Sequence, residues 1–310
     1  MGVAPRVRAS LPAVAWMLLC LIWGSTWLFI KLGLEDLPPI SFAGIRFLCA
    51  ASILCGLVAA RRRPLPATRG EWRLIATTGI FAFALNYGLL FWGEKRISSS
   101  LCAILQTTIP LFGLVIAHVH LPSERITAAR LGGVLMGAAG VTLLFSDPWG
   151  GGARLAGGIA VVIGAFFVAY SNVLVKARAA RIDPTVLAAG QMLFGFPPLL
   201  AVGYLTEGSP FDFPWTRLAV VSLLYLVLFG SCAAFLLYYW LMRHMEVTRM
   251  MLISLVTPVI AVVLGSVWLG ESHGWRVLAG ATVVLAGVTL NIRPLPVKTP
   301  AAASARPGTP

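Results

Sequence analysis

Apolar residues run along this chain in ten long stretches, separated by short polar segments. Crossing the hydrocarbon core of a bilayer takes about 20 mainly apolar residues. The pattern predicts helices over 13–33, 38–60, 73–93, 98–119, 127–145, 156–177, 184–204, 218–241, 247–269 and 274–292. The connections between them are too short to hold a soluble domain. Composition points the same way: 58% apolar residues, 11% charged and a mean hydropathy of +0.87, against roughly 45–50% apolar and about 25% charged in soluble domains. The expected fold is an all-α integral membrane protein with ten transmembrane helices.

The pattern also repeats. W-G-E-K-R-I-S-S-S-L from Trp92 aligns with W-L-M-R-H-M-E-V-T-R from Trp240 at an offset of 148, which brings Pro110 opposite Pro258. One residue out of register, Glu124 meets Glu271. Earlier, an offset of 145 pairs Lys31 with Lys176 and Pro39 with Pro184. The expected organisation is an N-terminal segment 1–12, a first five-helix repeat 13–146, a second 156–292, and a Pro- and Ala-rich tail 293–310 expected to be disordered. An odd number of helices per repeat makes the second repeat enter the membrane from the opposite side. Inverted repeats that rock about a site at their interface are the architecture of alternating access.

The net charge of +13 could suggest nucleic acid, but its distribution does not. With the N-terminus cytoplasmic, 17 of the 24 Lys and Arg fall on the cytoplasmic side, six outside, and only Arg46 within a span. Such a bias in short loops sets orientation, so both termini are predicted to be cytoplasmic. The five cysteines (Cys20, Cys49, Cys55, Cys102, Cys232) lie in predicted helices without paired spacing and read as small apolar residues. The first helix follows a short basic segment but lacks a small-residue cleavage site, so it is read as a span rather than a signal peptide.

Several motifs occur in a fixed order. W-G-S-T-W-L-F-I-K runs from Trp23, and Pro38-Pro39 opens a helix that continues to A-G-I-R-F. L-Q-T-T-I-P-L-F is followed by S-E-R-I-T, and I-S-L-V-T-P-V-I by L-G-E-S. Each half closes on a Gly-rich helix, L-G-G-V-L-M-G-A-A-G-V-T-L-L and L-A-G-A-T-V-V-L-A-G-V-T-L. Over about 13–292, this series resembles the EamA-type transporters of the drug/metabolite transporter superfamily. S-E-R stands where that family often has G-E-R, in a peripheral loop. The resemblance implies a ten-helix inner-membrane carrier, often an exporter of amino acids or other small metabolites.

Physical reading of the polar residues gives the candidate site. Proline lacks an N–H and frees the carbonyl four residues back, so Pro110 and Pro258 are expected to kink the fourth and ninth helices and free the carbonyls of Gln106 and Ser254. Such groups are tolerated where they find a partner or line a wet cavity. With Trp23, Thr26, Asn86, Tyr87, Tyr170, Asn172 and Tyr239, Gln106 and Ser254 make the expected substrate-binding set, a mostly apolar pocket with a few placed polar groups. Trp240 reads as an interfacial anchor. Arg46, whose repeat partner is Gln191, either binds a substrate carboxylate or braces a helix junction. No Asp or Glu falls at mid-span; of the carboxylates near helix ends Glu94 is the first candidate for a proton carrier, but it reads more readily as a surface ion pair with Lys95 or Arg96, which leaves coupling open. His118 and His120, two apart, face different sides of a helix, so no metal site is expected.

An intramembrane enzyme would need a nucleophile–base pair or a metal cluster at membrane depth, and the sequence displays neither. A carrier of phosphorylated or nucleotide sugars would need several cavity-facing Lys or Arg; only Arg46 is available. The expected partners are a small-molecule substrate and the lipid bilayer, with no nucleic acid and no cofactor, for a chain working as a monomer by alternating access.

Overall fold

The computed structural model describes residues 6–120, 127–145, 152–244 and 253–292; the tail from 293 and Glu124 lie outside them. Among the described residues the structure is all-helical. Ten helical stretches follow one another: α1 (Arg6–Asp36), α2 (Pro39–Ala60), α3 (Arg69–Glu94), α4 (Ser99–His120), α5 (Ala128–Phe145), α6 (Gly152–Arg178), α7 (Pro184–Glu207), α8 (Arg217–His244), α9 (Ile253–Trp268) and α10 (Trp275–Ile292). Seven of them, α1–α4 and α6–α8, are long and apolar enough to cross a membrane. The apolar parts of α5, α9 and α10 are shorter over the described residues. Helix α1 begins ahead of its predicted start and carries Pro12 inside it.

The helix starts follow from local chemistry. Pro39 and Pro184 open α2 and α7, where a missing N–H costs nothing. Thr68 and Glu71 form a reciprocal capping box on α3. Asp183 caps α7, accepting from the Thr185 N–H at 2.8 Å. Three of the long stretches are not regular. Helix α3 passes through a π-helical segment at Ile80–Leu85, and α8 through one at Leu226–Ala233. Helix α4 breaks into Ser99–Gln106 and Ile109–His120.

That break corrects one expectation. Pro110 does not kink a continuous helix; it lies in the first turn of the second piece, where its ring fits. Thr107 and Thr108 turn the chain, their N–H groups bonding three residues back to Ile104 and Leu105. Pro258, by contrast, sits inside α9.

Packing pairs the helices in a regular way. The most extensive contacts are α2 with α7, α5 with α10, α3 with α6, α1 with α9, α1 with α8, and α4 with α6; α3 with α7, α4 with α9 and α2 with α8 add to them. Exchanging each helix for the one five places along maps every one of these pairs onto itself or another. The core is built of Phe42, Phe47, Phe83 and Phe91 with Leu34, Leu54 and Ile75, all fully buried. Outside it, Leu18, Leu21, Ile159, Ile163, Val221 and Leu224 are exposed along the spans, an apolar surface that a bilayer covers.

Candidate functional site

Arg46 occupies the centre. It is 1% exposed, on the face of α2 that meets α3 and α8. Its Nε donates to Ser231 Oγ at 2.9 Å and its Nη2 to the Gly230 carbonyl at 3.2 Å. Both acceptors belong to the π segment of α8. A π turn loosens the regular backbone ladder and leaves oxygens that need other donors, which the guanidinium supplies. The rings of Phe47, Tyr87 and Phe91 surround it with centroids 5.1, 5.1 and 5.9 Å from Cζ, within cation–π range. Nη1 is buried with no hydrogen-bond partner among the described residues.

Its repeat partner does the corresponding thing. Gln191 on α7 donates from Nε2 to Thr78 Oγ1 on α3 at 2.9 Å, two residues before the π segment of that helix. Gln191 Oε1 accepts from the Tyr239 hydroxyl at 2.9 Å. Only glycine fits at the crossing: a Cβ on Gly79 would lie 2.5 Å from the Gln191 carbonyl oxygen. So α2 reaches across to the irregular part of α8, and α7 to that of α3.

The other predicted residues fall into separate places. Asn86 and Gln106 meet: Gln106 Nε2 donates to Asn86 Oδ1 at 3.2 Å and lies 3.4 Å from the Val161 carbonyl. Trp23 packs edge-on against Phe235 and near Tyr238, centroids 5.8 and 5.2 Å apart. Thr26 turns its hydroxyl to its own helix, onto the Trp23 carbonyl at 2.7 Å. Tyr87 lies half-buried beside Arg46. Tyr170 borders a separate open groove of about 450 Å³ with Phe81, Phe167, His120 and Arg178, and its hydroxyl is 3.4 Å from His120 Nε2. Ser254 is half-buried at the second position of α9. Asn172 is exposed and is not brought together with the rest. Trp240 stacks on His244, centroids 4.1 Å apart.

Glu94, the last residue of α3, departs most from its sequence reading. It is 0% exposed, and neither carboxylate oxygen has a hydrogen-bond partner among the described residues. It makes no surface pair: Lys95 Nζ donates to the Leu34 carbonyl, and Arg96 Nη1 to the Trp92 carbonyl at 2.7 Å. Burial, aided by nearby Lys31, lowers the Lys95 pKa. The signal that could have placed Glu94 is register. Tyr87, Phe91 and Glu94 lie four and then three residues apart, hence on one face of a helix, and two of them flank Arg46.

Two further carboxylates, at the same end of the bundle, are fully used. Glu271, just past α9, accepts at Oε1 from the Ser99 N–H at 2.7 Å and hydroxyl at 2.8 Å, and at Oε2 from the Ser100 N–H at 3.1 Å and hydroxyl. It caps α4, where the helix dipole favours negative charge. Glu207, ending α7, takes the Ile40 and Ser41 N–H groups at 2.9 and 2.7 Å and so caps α2. Asp36 accepts from Thr216, and Lys31 Nζ donates to the Glu94 and Ile97 carbonyls at 2.6 Å each.

Comparison with known proteins gives a consistent picture. The model of the EamA-like transporter family matches residues 11–146 and again 155–293. The uncharacterized inner membrane transporter YedA of Escherichia coli strain K12 is 29% identical over 304 residues, covering 94% of this chain and 95% of its own. The uncharacterized transporter YoaV of Bacillus subtilis is 26% identical over 273 residues, with 87% and 93% covered. A protein crystal structure superposes with a TM-score of 0.66 at 19% identity, covering 90% of this chain and 96% of that one; this shows the fold alone.

Proposed function

The chain belongs to the EamA-like transporter family, and we propose that it is an inner-membrane secondary carrier that exports a small metabolite, an amino acid or a related compound. In this reading the ten helices are two inverted five-helix repeats, both termini are cytoplasmic, and the substrate site lies between the halves. The observation that carries it is the paired packing, in which exchanging each helix with the one five places along preserves the main contacts. Inverted repeats related in this way can change places by rocking, which opens a central site to each side in turn. Arg46 with its aromatic wall, and the Asn86–Gln106 pair, supply the buried polar groups such a site needs in an apolar surround. A guanidinium with one Nη still unpartnered suits a carboxylate-bearing solute.

With the termini inside, the end tied by Glu207, Glu271, Asp36 and Lys31 faces outward. Three of these ties, from Glu207, Glu271 and Asp36, join the two halves, so they would have to loosen in the outward-open state. The test is flux in proteoliposomes and inverted vesicles with a panel of labelled amino acids and related metabolites. Saturable flux of a panel member above empty liposomes is expected. A protein that moves none of them, yet hydrolyses or transfers a group on one, would overturn the reading.

A further inference from the structure

Glu94 is the buried ionisable group that the substrate site does not absorb. We propose that it is a proton-binding site, loaded and emptied as the bundle opens to one side and then the other. The proposal rests on the carrier reading for its role in the cycle, but not for the binding itself.

The geometry is that of a carboxylate that no described residue reaches with a hydrogen bond. Both oxygens are buried and unpartnered among the described residues, and the residue has no exposed surface. Charged and titratable groups face it from every side where its neighbours carry them: Lys31 from α1, Arg46 from α2, Cys102 from α4 and Glu271 from beyond α9. From α6 the contact is apolar or backbone, through Gly157 and Val161 against Gly93. None of these groups hydrogen-bonds it: Lys31 is spent on two carbonyls and Glu271 on the α4 N-terminus, while Arg46 holds Ser231 and Gly230 and its remaining Nη1 stays out of hydrogen-bond reach.

An ionised carboxylate buried this way without a donor costs several kcal/mol or more. Binding a proton removes the charge. A metal cation is the poorer occupant, because the buried side chain has no exposed face through which a hydrated ion could reach it and Glu271, the other carboxylate facing it, is taken up by Ser99 and Ser100. The proton adds as O–H to the carboxylate when the site is open to water on one side, and leaves to water on the other. The cap formed by Glu271 lies over the start of α4 beside it, so opening that end would expose Glu94.

The test uses the full-length protein in lipid nanodiscs, read by infrared difference spectroscopy across a pH titration in sodium-free buffer. Wild type is expected to show a protonated-carboxyl C=O stretch that titrates reversibly. It should vanish in Glu94→Gln and persist, shifted, in Glu94→Asp; matching elution profiles establish that the variants fold. Wild-type and Glu94→Gln spectra that superimpose at every pH would overturn the proposal. So would a band that never titrates, or one that Na⁺ abolishes at fixed pH. In vesicles, an imposed pH gradient should accelerate wild-type flux, and the residual flux of Glu94→Gln should not respond. The infrared band without any substrate flux would sink the carrier reading and leave the proton site. Flux with the same gradient response in both proteins would do the reverse.

Discussion

Arg46 acts on three things at once: a hydroxyl, a backbone carbonyl and a wall of aromatic rings. Truncation to Ala strips Ser231 and Gly230 of their donor and opens a void among Phe47, Tyr87 and Phe91. Hydrogen bonds from charged groups contribute about 1.5–3 kcal/mol, so Arg46→Ala should lower stability by on the order of 2 kcal/mol, seen as a fall in melting temperature in detergent. Arg46→Lys keeps the charge but not the forked geometry and should recover only part of the loss. An unchanged melting point for Ala would refute the bracing role. Gln106 and Asn172 separate two ideas that the sequence left together. Gln106→Ala should slow transport, since it breaks the pair with Asn86; Asn172→Ala, at an exposed position, should leave the rate as it was. Arg46 was legible because a lone basic residue in an apolar run has few places to go. Glu94 was legible only in part: it stood out as a candidate proton carrier, but at a helix end beside Lys95 and Arg96 a carboxylate looks solvated, so its burial did not show. The caps by Glu207 and Glu271 were equally hidden, since their partners lie more than 160 residues away in the chain.

Among the elements, the irregular helices matter most. The π segments of α3 and α8 sit at corresponding positions of the repeat, and Gln191 and Arg46 reach across to them from α7 and α2. Nothing in hydropathy distinguishes a π turn from an α turn, so the sequence predicted two plain spans. It predicted kinks at Pro110 and Pro258, and the chain treats them differently: a break in α4, a proline held within α9. Where helices touch backbone to backbone, small residues decide the distance. Gly79→Ala should force α3 and α7 apart and cost about 1–3 kcal/mol, the usual range for overpacking. On α10, a Cβ at Gly287 would lie 2.6 Å from the Gly133 carbonyl oxygen on α5, so Gly287→Leu should disrupt the α5–α10 pair. Thermal unfolding of the purified variants checks both, and wild-type stability in either would mean the crossing is looser than the structure has it.

On the scale of the whole molecule, duplication organises everything else. The order of the helical stretches among the described residues could be read from the apolar runs, and the likeness of the halves from residues such as Pro39 with Pro184, because both patterns are local and periodic. Which helices lie together could not, since that depends on contacts far apart in sequence. The two halves are alike in frame and different in filling: Arg46 against Gln191, Asn86 against Ala234, Gln106 against Ser254. Those differences are where selectivity would reside in a carrier built this way. Counterflow in proteoliposomes tests the central claim most directly, because a site exposed to one side at a time exchanges labelled for unlabelled solute across the bilayer. Unlabelled substrate loaded inside should accelerate entry of the label well above that into empty vesicles. Flux of the label that is indifferent to substrate on the far side, and that does not saturate, would contradict the account.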